Sequence, residues 1–302
     1  MVDYQPKNFF RVVVQLQGSV VPILIPRILL CVGLGAAAAY GYANHGIKLP
    51  SIAHTLLGVA LGLLLVFRTN ASYDRFWEGR RLFGSIINRS RDILRQTLQL
   101  IEGDSEEVMR SRREIRRFVL MYYGLLRQYL RAERNLDEVG VELTDAERAA
   151  LEPAAVRPNL AVVWMTDEFV KHARAGRLSE QRLQLIDQNL TALVDYWGGC
   201  ERIMRTPVPF AYAQHIKSFL TLFCLSAPFA MVESMKWYTP IAAGVLAYGM
   251  FGIDEIGVEI EDPFGDDPND LPIDAMGKRI ADDTAMMLDT HEKSRAALLK
   301  AA

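Results

Sequence analysis

Between Leu49 and Phe67 the chain carries no formal charge, and then Arg68, Asp74, Arg75, Glu78, Arg80 and Arg81 arrive within a few helical turns. A helix needs about 20 predominantly apolar residues to cross the hydrocarbon layer of a bilayer. The pattern therefore predicts a membrane span over 49–69 that leaves the membrane and continues as a helix into water. Three further runs have the same character. Residues 19–43 carry Arg27 as their one charge, 209–232 hold His215 and Lys217 near their start, and 237–253 open on Trp237 and Tyr238, side chains suited to a membrane interface. A short polar break at Glu233–Lys236 separates the last two. Residues 1–18 mix Lys7 and Arg11 with Phe9 and Phe10, which predicts a short segment lying on the membrane surface.

The intervening polar stretch, 72–206, has helical period. Ile115, Phe118, Val119, Tyr122, Leu125, Leu126 and Tyr129 recur on one face, and Asp104 with Glu107 match an N-cap and its N3 partner ahead of them. Thr144 and Glu147 form a second capping pattern, and helices are expected over 160–174 and 179–196, the latter ended by Gly198 and Gly199. Pro207 and Pro209 then predict a kinked return to the membrane. Arginines crowd the segment after Phe67, whereas loop 44–50 holds only Lys48. By the positive-inside rule that loop is outside and both termini are cytoplasmic. The fold class is an all-α membrane protein: four transmembrane helices plus a cytosolic helical part, 72–206 and 254–302, in one domain.

Composition narrows the chemistry. The chain has 302 residues, half of them apolar, and a net charge of −2 with basic and acidic residues intermixed, which argues against a nucleic-acid partner. Cys31, Cys200 and Cys224 are odd in number and widely spaced, so neither a disulfide framework nor a zinc site is expected. Phosphate-binding loops, nucleophile elbows and paired metal-binding histidines are absent from the sequence, and no enzyme is suggested. Arg27 is expected to meet a carboxylate of a neighbouring helix, and the arginine-rich start of the helix after Asp104 is read as a solvated, ion-paired face. The acidic run from Asp254 to Asp274 could gather oxygens around a hard cation, but it does not match the spacing of an EF-hand, and a solvated linker explains it as well. In the second span Val59, Leu63 and Phe67 recur every four residues beside a small pair, Gly58 and Gly62. By pattern alone that stripe faces lipid or a partner helix.

Three motifs stand in a fixed order relative to the spans: SYDRFWEGRRLFG at 72–84, CERIMRTPVPFAYAQH at 200–215 and IEDPFGDDPNDLP at 260–272. Together they resemble the bestrophin family, in detail its bacterial branch. The resemblance implies a homopentameric ion channel in the bacterial inner membrane, whose partners are the lipid bilayer and small inorganic ions. The second membrane helix of each subunit would line a hydrophobic neck at Val59, Leu63 and Phe67, and Val208 would form a cytosolic aperture. Animal members hold calcium in an acidic clasp; the matching candidate cation-binding residues here are Asp262, Asp267 and Asp270. This chain departs from the clasp at Pro268 and Asn269, so no cofactor is expected with calcium left open. The bacterial branch implies passage of monovalent cations, sodium or potassium. A chloride-selective channel is the alternative, and a membrane-anchored helical scaffold the second. An apolar neck does not by itself choose the sign of the ion.

Overall fold

The computed structural model describes residues 8–301 of the chain, with side chains up to residue 297; Lys7, assigned above to the surface segment, lies outside them. Every regular element among the described residues is helical. The chain divides into two compact units, Met1–Trp77 with Thr206–Asp270 and Glu78–Arg205 with Leu271–Ala302.

The first unit holds the apolar helices. A short exposed helix α1 (Phe9–Val14) precedes α2 (Val21–His45), the first part of α3 (Ser51–Leu100), α8 (Phe210–Met235) and α9 (Thr239–Glu259). Three stretches are long and apolar enough to cross a membrane, Val21–His45, Ser51–Leu100 and Phe210–Glu259. The third is divided by a 3₁₀ turn at Lys236–Tyr238, where Lys236 takes a φ of 48°. Positive φ is unfavourable for a residue with a Cβ and stops the helix there, so α8 and α9 form a hairpin. Lys217 near the start of α8 meets Asp254 near the end of α9.

Small residues let α2 and α9 approach. A Cβ on Gly35 would come within 2.7 Å of Pro240 Cα, and Ala243 and Ala247 are buried on the facing helix. Close backbone contact of this kind replaces the hydrophobic effect as the packing force between helices in lipid. Pro228 inside α8 removes the N–H that would bond the Cys224 carbonyl; the Cys31 thiol donates to that carbonyl instead, at 3.9 Å. Leu61 and Leu65 of α3 complete this core with Leu24, Leu220, Phe223 and Phe251.

The second unit is built on the remainder of α3 with α4 (Glu106–Leu130), α5 (Asp145–Leu151), α6 (Arg157–Arg174), α7 (Glu180–Arg205) and α10 (Ile273–Ala301). The apolar face expected on α4 is buried from Ile115 to Leu126, and the Tyr122 and Tyr123 hydroxyls donate to the Leu193 and Ile273 carbonyls at 2.6 Å. Thr144 and Glu147 form the expected capping box.

Three local expectations are corrected. The N-cap of α4 is Ser105 rather than Asp104, whose carboxylate is drawn to Arg112 and Arg295. Gly198 and Gly199 do not end α7, which runs to Arg205, because Gly199 is buried against Leu82 and its lack of a Cβ serves packing rather than a turn. Arg112 is wholly buried rather than solvated, donating from Nη2 to the Ile101 and Gly103 carbonyls left open beyond the end of α3.

Candidate functional site

The uncharged part of α3 is two-faced. Leu61 and Leu65 are buried, while Val59, Leu63 and Phe67 are 61%, 57% and 65% exposed. Ile52 and Leu56 continue the exposed side toward the start of the helix, and Asn70 and Asp74 continue it beyond Phe67. The three residues assigned to a neck therefore share one uncovered apolar face. Of the small pair beside them, Gly58 receives the Phe223 ring of α8, whereas a Cβ on Gly62 would meet nothing within 4 Å in the subunit.

Immediately after Phe67 the helix turns polar, and Arg68 and Arg75 are engaged within the subunit. Arg68 is 2% exposed, and its Nη1 lies 3.0 Å from Asp254 Oδ1 of α9, itself 3% exposed. Those two atoms are close without the alignment of a hydrogen bond. Lys217 Nζ stands 3.5 Å from the other Asp254 oxygen, and Glu261 Oε2 3.8 Å from Arg68 Nη2. Arg27 of α2 donates to Glu255 at 2.7 Å, the carboxylate partner expected for it. Arg75 donates to two carbonyls, Thr206 at 2.5 Å and Glu261 at 3.1 Å.

Val208 lies in the irregular segment between α7 and α8, and its N–H donates to Glu261 Oε1 at 3.0 Å. The structure thus brings the predicted aperture residue to Glu261, within the acidic run. In the turn after α9, Asp262 Oδ1 accepts the Phe264 N–H at 3.3 Å and Asp270 Oδ2 accepts the Asp267 N–H at 2.7 Å. Asn269 Nδ2 donates to Glu259 at 2.7 Å and to the Gly18 carbonyl at 2.9 Å. Burial, with the charges of Asp267 and Asp262, pushes the Asp270 carboxyl up to about 6 against the opposing Asp267 N–H. Among the described residues no three His, Cys, Asp or Glu side chains are grouped to hold a metal ion. Asp262 and Asp270 bond backbone amides instead, and an amide nitrogen occupies the space between Glu259 and Gly18.

Sequence reasoning missed Arg68, Arg75, Lys217, Asp254 and Glu261 as a connected set. The signal available was the abrupt arrival of charge at each end of an apolar run, but it does not tell which charges pair.

The family model described as Bacterial/Fungal Bestrophin protein matches residues 1–286. The chain belongs to the bestrophin family. A crystal structure of a bacterial bestrophin homolog from Klebsiella pneumoniae superposes with a TM-score of 0.83 at 30% identity, covering 88% of this chain and 98% of that one. A voltage-dependent anion channel-forming protein of Nostoc sp. is 37% identical over 89% of this bestrophin and 88% of its own length. A similarly named protein of Salmonella typhi is 31% identical over 97% and 95%. The all-helical architecture with its apolar membrane helices is thus that of solved bestrophins.

Proposed function

We propose that this bestrophin is the subunit of a homopentameric ion channel in which the exposed face of α3 lines an axial pore. Val59, Leu63 and Phe67 form an apolar neck and Val208 a second ring toward the cytosol. The observation that carries this reading is the uncovered stripe on α3, opposite a side of the same helix that is packed in the subunit's own core. A ring of apolar side chains controls conduction through its radius and hydration rather than a fixed charge.

Small monovalent anions are the first choice of permeant ion. The names of the Nostoc and Salmonella relatives support it, since both are called anion channel-forming. The sodium or potassium preference expected from the bacterial branch is the second reading, and Asp74 favours it. Arg68 and Arg75 are committed to partners within the subunit, which leaves Asp74 as an exposed charge two turns beyond Phe67 on the stripe. Exposed Arg80 and Arg81 follow further along the same helix. Recording of purified protein in planar bilayers tests both readings: the reversal potential under a salt gradient gives the sign of the ion, and absence of single-channel currents returns the chain to a membrane-anchored scaffold.

The membrane is the bacterial inner membrane, with both termini cytoplasmic. Cysteines introduced at Asn44 and Arg134 are then labelled from opposite sides, and labelling of both from the periplasm rejects the orientation. The pore opens without calcium, in keeping with the engaged carboxylates of the 262–270 turn.

A further inference from the structure

A cavity of about 220 Å³ lies between α2, α8 and α9, within the first unit. Each of the three helices lines it with a charged residue and, further toward the middle of the span, an apolar one: Arg27 and Leu30 on α2, Lys217 and Leu225 on α8, Asp254 and Phe251 on α9. The charged residues stand roughly 8–10 Å along their helices from the ends at Val21, Phe210 and Glu259. That depth is near the boundary between headgroups and hydrocarbon. The cavity is thus charged toward one membrane surface and apolar toward the middle. It is smaller than the roughly 300–1,000 Å³ pockets that enclose a whole small ligand, so it suits one end of a molecule whose remainder stays outside.

The charges are arranged in depth. Asp254 and Glu255 are 3% and 13% exposed, whereas Arg27 and Lys217 are 40% and 48% exposed. The carboxylates lie inside, Asp254 against the buried Arg68, and the two other cations reach outward. Three basic side chains stand against these two carboxylates; Glu261, 3.8 Å from Arg68, does not line the cavity. Among the described residues Arg27 directs one of its five N–H donors to Glu255, and Lys217 Nζ stands 3.5 Å from Asp254. Both cations therefore keep donors for an acceptor that arrives from outside.

We propose that this cavity holds an anionic phospholipid of the cytoplasmic leaflet, with its phosphate on Arg27 and Lys217 and the start of an acyl chain along Leu30, Leu225 and Phe251. Basic pockets between membrane helices on the cytoplasmic side recognise such headgroups. A soluble anion would make no use of the apolar end. The choice of leaflet rests on the orientation proposed above; the binding itself does not.

The test titrates the full-length protein in detergent with dioleoyl phosphatidylglycerol or dioleoyl phosphatidylcholine and counts bound lipid by native mass spectrometry. Phosphatidylglycerol is expected to bind about tenfold more tightly than phosphatidylcholine, and Lys217→Gln to weaken phosphatidylglycerol about fivefold with little effect on phosphatidylcholine. The double variant Arg27→Gln/Glu255→Gln removes that pair together, so that neither charge is left without its partner, and should lower the preference in the same way. Leu225→Trp fills the apolar end and should weaken both lipids. Equal affinity for the two lipids in the native protein, the result also given by a cavity closed against a neighbouring subunit, overturns the proposal. So does a preference that neither charge variant changes. Equal competition by glycerol 3-phosphate, which carries the phosphate without chains, would mark a soluble-anion site and overturn it too. The comparisons on native protein need no variant to fold, and a titration in detergent is independent of both conduction and orientation. Labelling of cysteines at Asn44 and Arg134 that reverses the orientation would overturn the choice of leaflet and not the binding.

Discussion

Arg68 and Asp254 face each other at 3.0 Å, one on α3 and one on α9, and each is almost wholly buried. Taking two charges out of water is costly, and such a pair holds mainly because each charge would be worse off alone. Lys217 is half-exposed and can turn to water, so loss of Asp254 strands Arg68 with Glu261 at 3.8 Å as its remaining carboxylate. Asp254→Ala should destabilise the protein by about 3–5 kcal/mol, and an Arg68→Met/Asp254→Leu double variant should regain most of that. Unfolding in detergent measures both; a double variant no more stable than Asp254→Ala would refute this account.

Neighbouring leucines of α3 should respond in opposite ways. Leu63 is exposed in the subunit and Leu65 is buried in its core. Leu63→Ala should change subunit stability by no more than about 0.5 kcal/mol while raising single-channel conductance and weakening discrimination among ions, because a wider apolar ring strips less hydration. Leu65→Ala should cost about 2–5 kcal/mol with conductance near that of the native channel in the molecules that fold. The reverse pattern would return the stripe to a lipid-facing or packing role.

Acid should act on the two units with opposite signs. His172 of α6 is fully buried, burial depresses its pKa from the ordinary 6.5, and neither ring nitrogen has a hydrogen-bond partner. The unfolded chain then binds a proton that the folded one does not, so this contribution is complete above pH 6.5 and lost as pH falls below it. His172→Leu should flatten that acid limb. Asp270 is raised from 3.8 to about 6, so here the folded form binds the extra proton: the contribution is full below 3.8 and is lost as pH rises through about 6. Hydrogen exchange corrected for intrinsic rates should show the 262–270 turn better protected at pH 5 than at pH 7.5, with the difference gone in Asp270→Asn.

Calcium should neither open the native pore nor raise its thermal stability. Asn269 already bridges Glu259 and the Gly18 carbonyl with its amide nitrogen, and Asp270 bonds the Asp267 N–H. Asn269→Asp replaces that donor with a second carboxylate beside Glu259, and should lower stability in chelator and recover it with added calcium, as binding to the folded state alone does. Currents switched on by micromolar calcium in the native protein, and abolished by Asp267→Ala, would show the turn to be a calcium gate.

Much of this architecture is written locally. The spans follow from runs without charge long enough to cross hydrocarbon, and α3 continues past Phe67 because nothing between Arg68 and Leu100 breaks a helix. The capping box at Thr144 and the need of Arg27 for a carboxylate are likewise set by the residue and its immediate surroundings. Interactions within a few residues, and solvation averaged over a span, are fixed by chain order alone.

Tertiary packing decided the rest. Asp104 and Ser105 can both cap a helix, and the choice fell to Ser105 because Arg295, distant in sequence, engages Asp104. Gly199 reads as a helix end but serves as a contact for Leu82. Arg68 and Arg75 look like part of a solvated basic flank, yet packing brings Asp254, Glu261 and Thr206 against them, which leaves Asp74 exposed and ties Val208 to Glu261. A charge pays for burial only through the partner it meets, and partners so far apart in sequence are chosen by how the helices stack.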